Sequence, residues 1–191
     1  MKRYSLLNFT IFAGQLLFYL QVCLIVVLTL VFIHVMISPS FYAGTEFVPL
    51  AKNTSVFSYT MVERWGENRN IPYNTVSLDQ VEIFSLIFNY LRLSAILLST
   101  FLATKEFLNI LRSVKFGETF RSSNVYSFRR IGIYLFMLFI LSGFMQVTTN
   151  EIRFRGYFLN LSPLILTVLA FIMGEIFAQG NQLSEENQLT V

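Results

Sequence analysis

A nearly unbroken apolar stretch from Phe18 to Ile37 constrains this chain more than any other feature of its sequence. A bilayer core about 30 Å thick needs roughly 20 apolar residues in a helix. The first span is predicted at residues 11–37, and residues 81–103, 131–149 and 158–178 also meet that length. Charged residues make up only 13% of the chain, whereas a water-facing domain usually carries about 25%. The sequence therefore predicts an all-α membrane protein built as a four-transmembrane-helix bundle, in a single domain over residues 1–191.

The positions of Lys and Arg predict how the spans are oriented, because basic residues are enriched in cytoplasmic connections. On one side the termini and the inner connection (residues 104–130) carry eight basic residues: Lys2, Arg3, Lys105, Arg112, Lys115, Arg121, Arg129 and Arg130. The other side carries five, namely Lys52, Arg64, Arg69, Arg153 and Arg155. Both termini, the inner connection and the tail (residues 179–191) are therefore predicted to be cytoplasmic.

The two predicted outer connections contain strand-like patterns. Residues 55–62, within the outer segment 38–80, are rich in strand formers, and residues 150–156 alternate polar and apolar side chains. We expect these segments to pack together as a small, β-containing extracytoplasmic cap, although an irregular loop also fits the pattern. On the inner side, helical spacing continues past residue 103 until Gly117, and Ser122, Ser123 or Asn124 is expected to cap the next helix.

Two groups of residues in the second half of the chain resemble a known family. The first group is Leu111-Arg112-Ser113, Gly117-Glu118-Thr119-Phe120, Asn124 and Arg129-Arg130-Ile131-Gly132. The second is Glu175-Ile176-Phe177, Gly180, Leu183, Glu185-Glu186-Asn187 and Leu189-Thr190-Val191. Together they resemble the bacterial membrane family called domain of unknown function 2975, or YoaS-like proteins. The resemblance implies a bacterial cytoplasmic (inner or plasma) membrane and a gene commonly next to one for a small helix-turn-helix regulator; it implies no activity.

The chain departs from that family pattern at four positions. Thr119 stands where many relatives have Pro, Ala178 and Gln179 stand where basic residues are common, and Gln188 replaces an acidic residue. The absence of basic residues at positions 178 and 179 reduces the positive charge expected on the inner side after the fourth span.

A polar group near the middle of the second span is the most unusual feature for a membrane helix. Arg92 lies there with Asn89 one turn away, and Gln21 and Gln146 are candidate partners from other spans. One interpretation is a polar site that senses or conducts something, since ionisable residues inside a span mark functional sites by default. The other is an arginine that pairs internally and helps the helices associate. Glu175 is a further candidate, expected to meet a basic residue at the inner boundary.

The inner side carries the candidate partner-binding residues. They are Arg112, Arg129, Arg130, Glu185, Glu186, Asn187, Leu189, Thr190 and Val191. The acidic tail with its apolar residues is either a solvated end, a peptide that occupies a groove on a partner, or a segment that folds back on the basic connection.

The sequence contains no recognisable catalytic set, metal-ligand cluster, phosphate-binding loop or nucleic-acid-binding surface. It therefore predicts a protein that is not an enzyme, needs no cofactor and does not bind nucleic acid directly. Its expected partners are the lipid bilayer and, as the resemblance implies, a small cytoplasmic helix-turn-helix regulator. The alternative is a small transporter or permeability factor that uses the polar site around Arg92.

Overall fold

A computed structural model describes residues 5–47, 56–64 and 76–189 of the chain. Four of its helices are long and apolar enough to cross a membrane: α1 (Ser5–Ile37), α2 (Ile83–Lys115), α3 (Ser122–Ser142) and α4 (Leu161–Leu189). This confirms the mainly helical architecture with four candidate spans, and it indicates a membrane protein. Lys2, Arg3, Lys52, Arg69, Thr190 and Val191 lie outside the described residues.

Two of the predicted spans have other bounds in the structure. The third span was placed at residues 131–149, but α3 begins at Ser122 and ends at Ser142, and Phe144–Thr148 form a strand. The fourth was placed at residues 158–178, whereas α4 begins at Leu161 and continues to Leu189, through the predicted polar tail. The misplaced end of the third span and the misplaced start of the fourth have one cause, since a short apolar run suits a buried strand as well as a helix. The continuation of α4 through residues 179–189 was missed because that segment is polar.

Five strands among the described residues form two small antiparallel sheets, and residues Pro39–Tyr42 and Leu78–Gln80 form short 3-10 helices. Strands β2 (Phe57–Arg64), β4 (Phe144–Thr148) and β5 (Ile152–Leu159) make a three-stranded sheet in the order β2-β5-β4. The two-residue strands β1 (Glu46–Phe47) and β3 (Val76–Ser77) pair separately. The strand patterns predicted at residues 55–62 and 150–156 are thus confirmed, and so is their packing against one another.

The described chain divides into two compact units. The loop unit comprises Met1–Cys23, Leu97–Leu138 and Ser162–Val191, and the sheet unit comprises Leu24–Ile96 and Phe139–Leu161.

Close contacts at glycines hold the helices of the loop unit together. Gly14 of α1 faces Leu108 of α2, where an added Cβ would lie 2.7 Å from Leu108 Cδ2. Gly132 of α3 receives the ring of Phe171 of α4, where an added Cβ would lie 2.9 Å from the ring. Such contacts suit membrane helices, because lipid tails provide no hydrophobic drive for helix association and small residues let helices approach.

The sheet unit has an apolar core and a charged pair across its strands. Val76, Val81, Val147 and Phe154 are buried together. Along β5 the residues alternate between buried and more exposed positions, as a strand packed on one face requires. On β2 the carboxylate of Glu63 lies 3.7 Å from Arg153 Nη1 and 3.9 Å from Arg155 Nη1 of β5.

The pairing of β2 with β5 predicts which engineered cysteines form a disulfide. Tyr59 lies directly opposite Tyr157, and residues in such a pair are close enough for a disulfide. In a Cys23→Ser background, we expect Tyr59→Cys with Tyr157→Cys to cross-link almost completely under mild oxidation of isolated membranes. Loss of thiol labelling by a maleimide reagent measures the reaction.

The matched control combines Tyr157→Cys with Glu63→Cys, whose partner in the register is Arg153. This pair should remain reduced because it is four residues out of register. Equal cross-linking of both pairs would contradict the register.

Candidate functional site

Arg92 binds the end of α3 within the sheet unit. Its Nη1 donates to the backbone carbonyl of Phe144 and lies 3.5 Å from that of Leu141. These carbonyls flank the point where α3 ends and β4 begins, and the last carbonyls of a helix have no donor within it. A cation is also favourable beside a helix C-terminus. The structure therefore gives Arg92 a definite local role as a cap of α3.

Asn89 and Ser85 continue this polar row along one face of α2 towards β4. Asn89 Nδ2 donates to the carbonyls of Ser85, at 2.9 Å, and Gln146, at 2.6 Å. The hydroxyl of Ser85, which is 2% exposed, accepts from the backbone N–H of Thr148 at 3.1 Å. Gln146, predicted as a candidate partner of Arg92, accepts instead from Asn89 through its main-chain carbonyl, while Arg92 donates to the carbonyls of Phe144 and Leu141. Asn89 Oδ1 and Arg92 Nε have no hydrogen-bond partner among the described residues.

Gln21 and Glu175, the other two residues of the predicted polar site, have partners within the loop unit. Gln21 Nε2 donates to Thr104 Oγ1 at 3.2 Å. Glu175 lies 3.7 Å from Arg129, and both side chains are more than half exposed, so the pair contributes little to stability. The expectation that Glu175 meets a basic residue is confirmed, with Arg129 as that residue.

The inner connection (residues 104–130), which comprises the end of α2, the turn after it and the start of α3, contains a buried acid that no sequence pattern predicted. Glu106 is 8% exposed and accepts hydrogen bonds from Ser127 Oγ at 2.7 Å and from Arg130 Nη1 at 3.1 Å. Buried carboxylates are rare unless they are paired. The sequence signal for Glu106 is an acidic residue within a mainly basic segment. A count of Lys and Arg alone, as used for the orientation of the spans, does not register it.

Gly117 and Asn124 give this connection a fixed shape. Gly117 has φ +82°, its N–H donates to the carbonyl of Val114, and the N–H of Glu118 donates to that of Ser113, as in a Schellman motif. The predicted end of α2 at Gly117 is thus confirmed. Asn124, 2% exposed, does not cap α3 through its side chain: its Nδ2 lies 3.0 Å from Ser113 Oγ and 2.8 Å from the carbonyl of Thr119.

A polar pocket of about 670 Å³ opens within this connection. Charged side chains of both signs line it: Lys105, Arg121, Arg130, Glu106 and Glu118. Two exposed aromatic side chains also line it, Phe116 (79% exposed) and Tyr126 (62% exposed). Aromatic residues and Arg dominate the residues that contribute most to protein interfaces. Phe116 and Tyr126 were not among the predicted partner-binding residues.

The predicted partner-binding residues take several positions in the loop unit. Arg112 is exposed in the last turn of α2, and Arg129 and Arg130 pair with Glu175 and Glu106. Glu185 and Glu186 are exposed on α4, and Asn187 and Leu189 also belong to that helix. Thr190 and Val191 lie outside the described residues.

The final part of α4 contacts the connection through Phe120. This ring covers Gly180 and lies 5.5 Å from that of Phe177, measured between centroids. Residues 182–186 beyond it are exposed. The described part of the tail is thus a helix with an exposed face.

Removing the side-chain amide of Asn124 should loosen the connection. Asn124→Ala leaves the part-buried carbonyl of Thr119 without this donor, which costs about 0.5–1.5 kcal/mol, the net contribution of a typical hydrogen bond. We expect trypsin to cleave after Arg121 several-fold faster in detergent-solubilised protein, as measured by mass spectrometry of the fragments. Ser123→Ala, an exposed serine of the same segment, is the control. Equal cleavage of the two variants would contradict the locking role of Asn124.

No curated protein and no solved structure matches this chain. The model of one family does match, and its description is "Protein of unknown function (DUF2975)". The match covers residues 84–191, which include Arg92, the connection and α4. Because it extends over more than half of the 191 residues, the chain belongs to the DUF2975 family.

Proposed function

We propose that this protein is a non-enzymatic regulatory partner, anchored in the membrane, whose α2–α3 connection binds a small cytoplasmic helix-turn-helix regulator. One observation carries the proposal: the connection is a fixed polar surface with exposed aromatic side chains around a pocket. The Gly117 turn and the side chain of Asn124 hold this connection in one shape. Binding residues are commonly displayed on loops that a rigid scaffold positions.

The kind of partner follows from the resemblance and from the charge of α4. Genes of this family commonly lie beside one for a helix-turn-helix regulator, and DNA-binding proteins carry basic surfaces to neutralise phosphates. Exposed Glu185 and Glu186 on α4 offer the opposite charge. Arg112, exposed in the last turn of α2, is available for an acidic group of the same partner, whereas Arg121 pairs with Glu118 at 2.8 Å. We propose that the regulator is held at the membrane by these contacts.

The proposal requires the connection, both termini and α4's end to lie in the bacterial cytoplasm, as the distribution of basic residues favours. In a Cys23→Ser background, Ser122→Cys in the connection should react with a membrane-impermeant maleimide only after the cells are permeabilised. Tyr59→Cys on β2, 53% exposed, should react in intact cells. Gel shifts measure both reactions, and the reverse pattern would overturn the proposal.

Transport remains the alternative, and the polar residues around Arg92 favour it. Transporter sites are commonly formed by broken helices near the middle of the membrane. The described helices α1 and α2 each run for 33 residues without interruption, and Pro163 lies in the first turn of α4, where proline is tolerated. We therefore prefer the regulatory proposal.

Cross-linking in living cells tests the proposed interface. A photoreactive phenylalanine at Phe116 should capture the regulator encoded by the neighbouring gene, identified by mass spectrometry. The matched control is the same residue at Phe41, which is similarly exposed (74%) and belongs to the sheet unit. Phe116→Ala should weaken binding of the purified regulator roughly thirtyfold, the loss typical of an interface hot spot, and Phe41→Ala should not.

The outcome also separates a binding surface from a membrane contact. Aromatic side chains can simply lie at the headgroup level of the bilayer. Capture of lipid alone at Phe116, with unchanged expression of the regulator's target genes in Phe116→Ala cells, would refute the proposal.

A further inference from the structure

Two helices of the loop unit leave their apolar stretches at the same level. On α2, residues 93–104 carry no charge and Lys105 follows them, whereas on α3 Arg130 immediately precedes the uncharged residues 131–142. The buried carboxylate of Glu106 accepts from Arg130 Nη1 at 3.1 Å, and this contact joins the two boundaries. At such a boundary the hydrocarbon of a bilayer meets the polar head groups of its lipids.

One cation at this boundary has no partner of opposite charge. Arg130 pairs with Glu106, and Arg129 pairs with Glu175 of α4. Lys105 is exposed, and no carboxylate of the described residues lies within ion-pair distance of it. Three cations and two carboxylates therefore leave a net charge of +1 at the boundary.

Lys105 and Arg130 also line the pocket of about 670 Å³ in the connection, at the end nearest the apolar stretches. The side chain of Arg130 is 62% exposed and contacts Glu106 through Nη1. Because a guanidinium has five N–H donors, others remain for a ligand. Phe116, just beyond the end of α2, lies roughly 16 Å further along the helix axis. The basic end of the pocket is thus separate from the aromatic side chain of the proposed partner surface.

We propose that the basic end of this pocket binds the head group of an anionic phospholipid, with the phosphate between Lys105 and Arg130 and the acyl chains in the bilayer. A phosphodiester keeps one negative charge at every physiological pH, so a single form accepts hydrogen bonds from both side chains and balances the net charge. Basic pockets between membrane helices are known sites for anionic head groups.

The charge also determines which phospholipid the site selects. The ammonium group of phosphatidylethanolamine would add a positive charge beside a boundary that is already positive. The glycerol head group of phosphatidylglycerol adds none, and its hydroxyl groups can form hydrogen bonds in the polar pocket. This inference goes beyond the proposed regulator and holds for either orientation of the protein in the membrane.

Native mass spectrometry of the purified full-length protein tests the site. The protein is released from detergent micelles that contain equal amounts of phosphatidylglycerol and phosphatidylethanolamine with identical acyl chains. We expect at least a fivefold preference for bound phosphatidylglycerol, because a lysine near the membrane surface contributes about this factor towards anionic lipids. Millimolar glycerol 3-phosphate should leave the bound lipid in place. Displacement by that compound would indicate a site for free phosphates and overturn the inference.

A lysine at each end of the pocket's helix provides the matched variants. Lys105→Ala removes the unpaired cation without breaking an ion pair, whereas Lys115→Ala changes an exposed lysine of α2 outside the pocket lining. Bound phosphatidylglycerol should fall about fivefold in Lys105→Ala, recover in Lys105→Arg and stay unchanged in Lys115→Ala. Equal losses in the two alanine variants, or equal binding of both lipids by the unmodified protein, would overturn the inference.

Discussion

The contact between Arg92 and the end of α3 is the interaction on which the sheet unit depends. A chain that changes from helix to strand inside an apolar region must satisfy the carbonyls that the helix leaves unpaired, because lipid cannot donate hydrogen bonds. Arg92 supplies that donor, and Gly143 joins the helix to the sheet, since its carbonyl accepts from the N–H of Phe158 at 2.8 Å. The β4–β5 hairpin and its pairing with β2 follow from this transition.

In the loop unit, the α2–α3 connection also contains backbone groups that need hydrogen-bond partners. There the chain must turn between two long helices, and its free backbone groups are satisfied by the Gly117 turn and the side chain of Asn124. The Glu106–Ser127–Arg130 cluster joins the two helices next to it. A buried carboxylate with two partners fixes the relative position of α2 and α3 more firmly than exposed pairs such as Arg129–Glu175 do. The surface that we propose for partner binding therefore rests on two helices whose relative position this cluster fixes.

The sequence was sufficient to predict the helices because their apolar lengths are set by the thickness of a bilayer. It also predicted the strand at residues 55–62 from its composition and the turn at Gly117 from the rule that glycine ends helices. The end of α3 could not be predicted, since Phe144–Thr148 are apolar enough to continue a span. What makes them a strand is their pairing with β5, a tertiary contact that no local pattern records.

The candidate sites were predicted less completely, for the same reason. Arg92 and Asn89 were found because polar residues stand out within an apolar span. Gln21 and Glu175 stand out equally, yet their partners are Thr104 and Arg129, which only the fold reveals. Glu106 and Asn124 were undervalued because a charged or amide side chain in a polar connection looks ordinary until its burial is known.

The glycine contacts of the loop unit restrict how this sequence can change over time. At Gly14 and Gly132 the space for a single carbon atom is already occupied by Leu108 and Phe171 of the neighbouring helices. A methyl group at either position requires the opposing side chain to shift or to become smaller. The distance between the helices at these two points is therefore set jointly by the glycine and by the side chain that covers it.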